Sequence, residues 1–243
     1  NLMIAVGAGT AVGINALLSR SLGEKRQDMA DRAAGTGIFL SLCNAVVFAF
    51  IGVFLSRAFF MAQAKSVPEI VEMGTAYTRI CLGLSVGLFS QFCFERLLQS
   101  TGRTVLAMTT QLVGALINIV LDPVFLCGMP RLEVAGAAVA TVLGQIAAAL
   151  LAIFLNLKKN PDIHIRPKLI RWDKTVAREI YRVGIPSIVM QSIGSVMTFG
   201  MNKILFVFTP TATAVFGAYF KIQSFIFMPV FGLNNGMVPI ISY

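Results

Sequence analysis

The chain has 243 residues, of which 56% are hydrophobic and only 13% charged, with mean hydropathy +0.79. A soluble domain of this length needs far more charge to cover its surface, so the soluble classes are excluded. The formal net charge of +9 invites a nucleic-acid reading, but the cations are sorted among loops, which a membrane topology explains better.

Uncharged runs recur at 1–19, 33–56, 80–94, 104–121, 134–157, 183–202, 204–220 and 222–243. About 20 apolar residues cross a bilayer as a helix, and spanning backbone must be helical or form a closed barrel. These runs are too long and too uniformly apolar for the alternation of barrel strands. Joining the two short runs around Lys221 gives seven predicted spans, the last from about 211 to 243. The fold class is therefore all-α, a polytopic membrane helix bundle.

The first span leads into a loop carrying Arg20, Lys25, Arg26 and Arg32, and the second ends at Arg57 with Lys65 beyond it. The third, 80–102, follows Arg79 at its boundary and is interrupted by Glu95 and Arg96 before the turn that holds Arg103. The fourth ends near Asp122 and Pro123, with Arg131 in the next turn. After the fifth comes the loop 156–183 with Lys158, Lys159, Arg166, Lys168, Arg171, Lys174, Arg178 and Arg182. If the spans alternate, the three strongly basic connections share one side, and the positive-inside rule places that side in the cytoplasm. Residue 1 then lies outside and residue 243 inside. Within the long loop, 170–182 suits an amphipathic helix on the inner surface, with Trp172, Val176, Ile180 and Tyr181 among cations.

That connector also divides the chain: 1–157 is one bundle, 158–183 the basic connector, and 184–243 the start of a second bundle. Pro161 and Pro167 break the connector, and Gly184 and Pro186 open the next helix. A faint internal echo supports two halves: Gly9, Gly13 and Ser19 are spaced like Gly232, Gly236 and Ser242, and transporters often carry such repeats. The chain opens and stops inside hydrophobic runs and lacks an initiator Met, which reads as an excerpt of a longer protein.

Chemistry-bearing residues are few. Cys43, Cys81, Cys93 and Cys127 fit no metal spacing and read as small hydrophobes. His164 is the only histidine and lies in a basic loop, so no histidine-based metal site or nucleophile is expected, and the protein is not read as an enzyme. Asp122 is different. It is the only acid between 104 and 130, where an unpaired carboxylate costs roughly 2.5–3.5 kcal/mol. Asn118, four residues earlier, shares its helical face. An amide oxygen beside a carboxylate suits Na⁺, and a desolvated carboxyl also suits a bound proton. The competing reading is that Asp122 merely ends a helix beside Pro123. Glu95 is a candidate second titrating group, while Arg96 and Lys203 read as snorkelling. Lys221 either snorkels or faces a cleft where it would help select substrate charge. Gln191, Met197, Asn202 and Gln223 are candidate cleft groups on the last two spans. Nineteen Phe and eleven Met suit a greasy cleft and lipid contact equally and carry no specific role.

Several stretches together resemble one family. Asn118-Ile-Val-Leu-Asp122-Pro123 followed by Gly136-Ala-Ala-Val-Ala-Thr141 is similar to the fifth and sixth helices of the multidrug and toxic compound extrusion (MATE) family. So are Leu-Leu-Ser-Arg-Ser-Leu-Gly at 17–23, Leu-Gln-Ser-Thr-Gly at 98–102, Gly184-Ile-Pro186, and Pro-Ile-Ile-Ser-Tyr at 239–243. The resemblance covers essentially the whole chain in order. It implies a transporter of two six-helix lobes, of which this chain holds helices two to eight, the lobes joining at the basic connector. It implies an antiporter that exports drugs or other small organic compounds across the plasma membrane in exchange for Na⁺ or H⁺. Within that picture Asn118, Asp122 and a threonine of the next helix form part of a cation site. Thr141 is the candidate threonine, Thr110 the weaker one. Departures are Gln99, where the family often has arginine, and Gln191 and Gly194, where some members have an acid. The expected partners are the bilayer, a small organic substrate and the coupling cation, with no nucleic acid and no other cofactor, the protein acting as a monomer. A lipid-linked saccharide flippase of the same superfamily is the alternative, favoured if Lys221, Lys203 and Arg96 face one cavity. A six-helix lobe lacking a helix would expose a groove, so these residues alone are expected to be poorly stable.

Overall fold

The computed structural model describes residues 2–63, 68–127, 133–208 and 210–242, with side chains near those gaps and several beyond 201 left out. Every regular element among the described residues is helical: α1 (Leu2–Gly23), α2 (Gln27–Gln63), α3 (Pro68–Gly83), α4 (Val86–Ser100), α5 (Thr104–Cys127), α6 (Glu133–Lys159), α7 (Lys174–Phe208) and α8 (Pro210–Ser242). The apolar lengths of α1, α2, α5, α6 and α7 are each sufficient to cross a bilayer. The third predicted span is longer than expected and broken. Helices α3 and α4 meet at 43° across Leu84 and Ser85. The buried Ser85 hydroxyl donates to the Ala45 carbonyl of α2 at 3.0 Å, which ties the break to the bundle. The last predicted span is one helix, α8, running through Lys221 as expected.

The core is concentrated at the basic end. Ile14 and Leu18 of α1, Ala30 and Ala34 of α2, and Leu97 of α4 are fully buried together with Ile180 of α7. Ile163 of the connector joins them. Polar contacts gather the three basic connections at this same end. Gln27 Nε2 donates to the Asp162 carbonyl at 2.6 Å, Arg103 pairs with Asp162 at 3.3 Å, and the His164 amide donates to Asp31 Oδ1 at 3.0 Å. This is the clustering that the charge pattern predicts. On the exposed rim, a hydrogen bond from Arg20 at 2.9 Å holds the Glu24 carboxyl below its ordinary value.

One expectation needs correction. The segment 170–182 does not form a separate surface helix: 170–173 is non-helical after a short 3-10 turn at Pro167–Leu169, and α7 then runs from Lys174 straight through Gly184 and Pro186. Val176, Ala177 and Ile180 are buried against the first bundle, and this tertiary packing outweighs the hydrogen bond that Pro186 forfeits. Close approach of α1 and α7 depends on glycine, since a side-chain carbon at Gly13 would overlap the Ile180 carbonyl. A carbon at Gly9 would overlap Ile188 of α7, whereas one at Gly232, the counterpart of Gly9 in the sequence echo, meets nothing within 4 Å among the described residues, so that pair of the echo is not matched in packing. Cys93 is fully buried, as expected of a small hydrophobe, whereas Cys43 is exposed on α2, and the Cys127 side chain is outside those described.

Candidate functional site

The site residues sit where α5 and α6 pack closest. A carbon added at Gly144 of α6 would lie 2.7 Å from the Gly114 carbonyl oxygen of α5, and one at Gly136 would lie 2.6 Å from the Phe125 carbonyl oxygen. Small residues let helix backbones approach to this degree in membranes. With the helices so close, Asn118 and Asp122 on one face of α5 meet Thr141 on α6.

The Asn118 amide satisfies both of its polar atoms in one orientation. Its nitrogen then donates to Asp122 Oδ2 at 3.2 Å, and its oxygen accepts the Thr141 backbone N–H at 3.1 Å. The Thr141 hydroxyl donates to the Ala137 carbonyl at 2.9 Å. Asp122 Oδ1 is buried and has no hydrogen-bond partner among the described residues. Buried polar atoms are nearly always satisfied, so this oxygen offers a lone pair to a cation in an otherwise partnered cluster. Asp122 sits within the helix rather than at its end, with Pro123 beside it. Tyr77 of α3, hydrogen-bonded to Cys81, lies close enough to interact with the carboxylate.

Asn118 and Thr141 also line a cavity of about 330 Å³ with Gln91, Gln111 and Gln145 on its polar side and Ile4, Leu88 and Phe92 among its apolar walls. Thr110 is not in the Asp122 cluster. Its hydroxyl shares one proton between Glu95 Oε1 at 3.2 Å and the Ala107 carbonyl at 2.7 Å. Nothing in the sequence signals Tyr77 or the three glutamines, which lie on separate helices and become neighbours only through packing. The close approach at Gly114 and Gly144 was legible in principle from small residues on adjacent spans.

The remaining candidates lie elsewhere. Gln191 and Met197 are exposed on α7, and Gln191 donates to Ser187 Oγ at 3.3 Å. Lys221 is exposed and Gln223 half-buried on α8, while Asn202 and Lys203 have side chains outside those described. The cavity beside Asn118 is lined by other residues. Arg96 is half-buried and donates to Gln99 Oε1 at 2.8 Å.

A family model described as MatE matches residues 1–124. The chain belongs to the MatE family. It is an integral, multi-pass membrane protein, in keeping with its apolar helices. The multidrug export protein MepA of Staphylococcus haemolyticus (strain JCSC1435) is 27% identical over 241 residues, covering 99% of this chain and 53% of that protein. MepA of Staphylococcus aureus (strain MRSA252) is 25% identical, again covering 99% and 53%. Among solved structures, an inward-facing MATE-family multidrug resistance transporter of the MOP superfamily superposes with TM-score 0.84 at 26% identity, covering 95% of this chain and 52% of that one. A MOP superfamily transporter from Pyrococcus furiosus Vc1, described as having a binding pocket of reverse polarity, gives TM-score 0.84 at 26% identity, covering 99% and 51%. This MatE chain thus spans about half the length of the relatives it matches.

Proposed function

We propose that the protein carrying this chain is a secondary active antiporter that exports small organic compounds in exchange for Na⁺ or H⁺. The observation that carries the reading is the buried, unpartnered Oδ1 of Asp122, held beside Asn118 and Thr141 at the α5–α6 contact. A proton needs only that lone pair. Na⁺ would additionally draw on the Asn118 amide oxygen after rotation and on the Thr141 hydroxyl. The export names of the half-matched relatives support the direction of transport.

Cation binding at Asp122 removes the cost of a buried negative charge and favours one arrangement of the helices, while substrate favours the other. A ligand shifts such an equilibrium only by its differential affinity for the two states, so exchange between the two ligands drives alternating access. Gln191, Met197, Asn202, Lys221 and Gln223 are the substrate-facing candidates on α7 and α8. The flippase alternative needs a shared cationic cavity. Its candidate cations are Arg96 on α4, Lys203 on α7 and Lys221 on α8.

The test is efflux of ethidium from vesicles containing the protein expressed in full, driven separately by Na⁺ and H⁺ gradients, for wild type and Asp122→Asn. Efflux driven by one gradient and lost in the variant is expected, and the productive gradient names the ion. Equal efflux from both proteins would reduce Asp122 to a structural residue, and no efflux from either would refute drug export.

A further inference from the structure

Glu95 is the most deeply buried acid among the described residues, and the exchange chemistry assigned to Asp122 does not use it. It lies on α4 and is only 2% exposed. Its Oε1 accepts from Gln91 Nε2 at 2.9 Å and from the Thr110 hydroxyl at 3.2 Å, and its Oε2 accepts from Gln111 Nε2 at 2.8 Å. These partners come from its own helix and from α5, and all are neutral donors. The one charged group acting on it among the described residues is Arg96 on the same helix. None acts from α1, α2, α5 or α6. Arg96 itself donates to Gln99.

A carboxylate offers about four lone-pair positions. Three are taken, and every group facing the carboxylate presents N–H or O–H. A metal cation requires oxygen ligands, whereas the Gln91 and Gln111 amides present nitrogen to the carboxylate. A proton requires only the remaining lone pair. The surrounding donors also provide for both protonation states: they stabilise the anion as it stands, and a neutral carboxyl keeps oxygen lone pairs for the same donors.

Position gives the group a consequence. Gln91 and Gln111, which hold Glu95, line the same cavity of about 330 Å³ as Asn118 and Thr141. A polar route therefore runs from Glu95 through its amide partners to the edge of the Asp122 cluster.

We propose that Glu95, held by Gln91, Thr110 and Gln111, is a second proton-binding site of the first bundle, joined to the Asp122 cluster by this polar cavity. The step is a simple one, in which a carboxylate oxygen takes one proton to become a neutral carboxyl and returns it to water when the cavity opens. What that proton does in transport rests on the antiport reading, but its binding at Glu95 does not.

The experiment is infrared difference spectroscopy of the purified full-length protein in lipid nanodiscs during a pH titration, following the carbonyl stretch of protonated carboxyl groups. Glu95→Gln, nearly isosteric, should remove one titrating band that Asp122→Asn leaves in place. Gln111→Leu, which keeps the carboxyl but deletes one of its hydrogen bonds, should shift the frequency of that same band and serves as the readout if the first variant fails to fold. Wild-type protein with no titrating band that Glu95→Gln or Gln111→Leu alters would overturn the proposal. An intact Glu95 band combined with Asp122-independent efflux would instead leave this site standing and sink the antiport reading.

Discussion

Gly144→Ala is the substitution that most sharply probes how the site is built. The added carbon would sit 2.7 Å from the Gly114 carbonyl oxygen and 3.3 Å from Asn118 Cβ. Ordinary contact begins near 3.4 Å, and the nearest obstacle is backbone, which cannot swing aside, so α5 and α6 must separate by several tenths of an ångström. Overpacking of this kind costs about 1–3 kcal/mol. The same displacement stretches the Asn118-to-Thr141 contact, already 3.1 Å, so cation binding should weaken together with stability. Thermal unfolding in detergent and cation titration of the same preparations read the two effects. Gly83→Ala is the control, because a carbon there meets nothing within 4 Å, and it should stay within about 0.5 kcal/mol of wild type. A Gly144→Ala protein with wild-type melting and wild-type cation affinity would refute the close-packing argument.

Other substitutions separate the roles of neighbouring groups. Thr141→Val removes the hydroxyl but keeps the backbone N–H that holds Asn118, so it should weaken Na⁺ binding and leave proton binding at Asp122 in place, while stability stays within about 1 kcal/mol, as titration and melting of one sample would show. Asn156 donates to the Phe94 carbonyl at 2.8 Å and accepts from Asn160 at 3.0 Å, both residues being buried. Asn156→Ala should therefore cost about 1–3 kcal/mol, with the Asn156→Ala/Asn160→Ala pair costing less than the sum of the singles in a double-mutant cycle. At the rim, the hydrogen bond from Arg20 lowers the folded value for Glu24, so its small contribution is present above the unfolded value and fades as pH falls through the folded one. Glu24→Gln should slightly flatten the acid limb of a pH–stability curve and leave the neutral region unchanged.

The helical runs and the gathering of the basic connections at one end were legible because both rest on one-dimensional patterns, apolar run length and the sorting of Arg and Lys. Lys221 shows the pattern working through an interruption, since α8 continues past it. The break between α3 and α4 was not legible. It depends on Ser85 reaching a carbonyl of α2, a contact between distant residues. The start of α7 was hidden for the same reason: Gly184 and Pro186 read locally as a helix opening, overruled by burial of Val176 and Ile180 against another bundle. In the site, Asn118 and Asp122 could be paired from their spacing of four on one helix. Thr141 needed the family resemblance, and the structure places it against Asn118. The partners of Glu95 were hidden, because Thr110 and Gln111 lie 15 and 16 residues away and approach only through the turn at Arg103.

In the proposed exchange a cation at Asp122 and an organic substrate oppose one another. Coupling of this kind is reciprocal at equilibrium, so it can be read without a gradient, by titrating tetraphenylphosphonium into the purified full-length protein at varied Na⁺ concentration and varied pH. The account predicts that one of the two ions weakens tetraphenylphosphonium binding to wild type and that Asp122→Asn removes that dependence. Binding that responds to the ion identically in both proteins, or to neither ion in wild type, would contradict it.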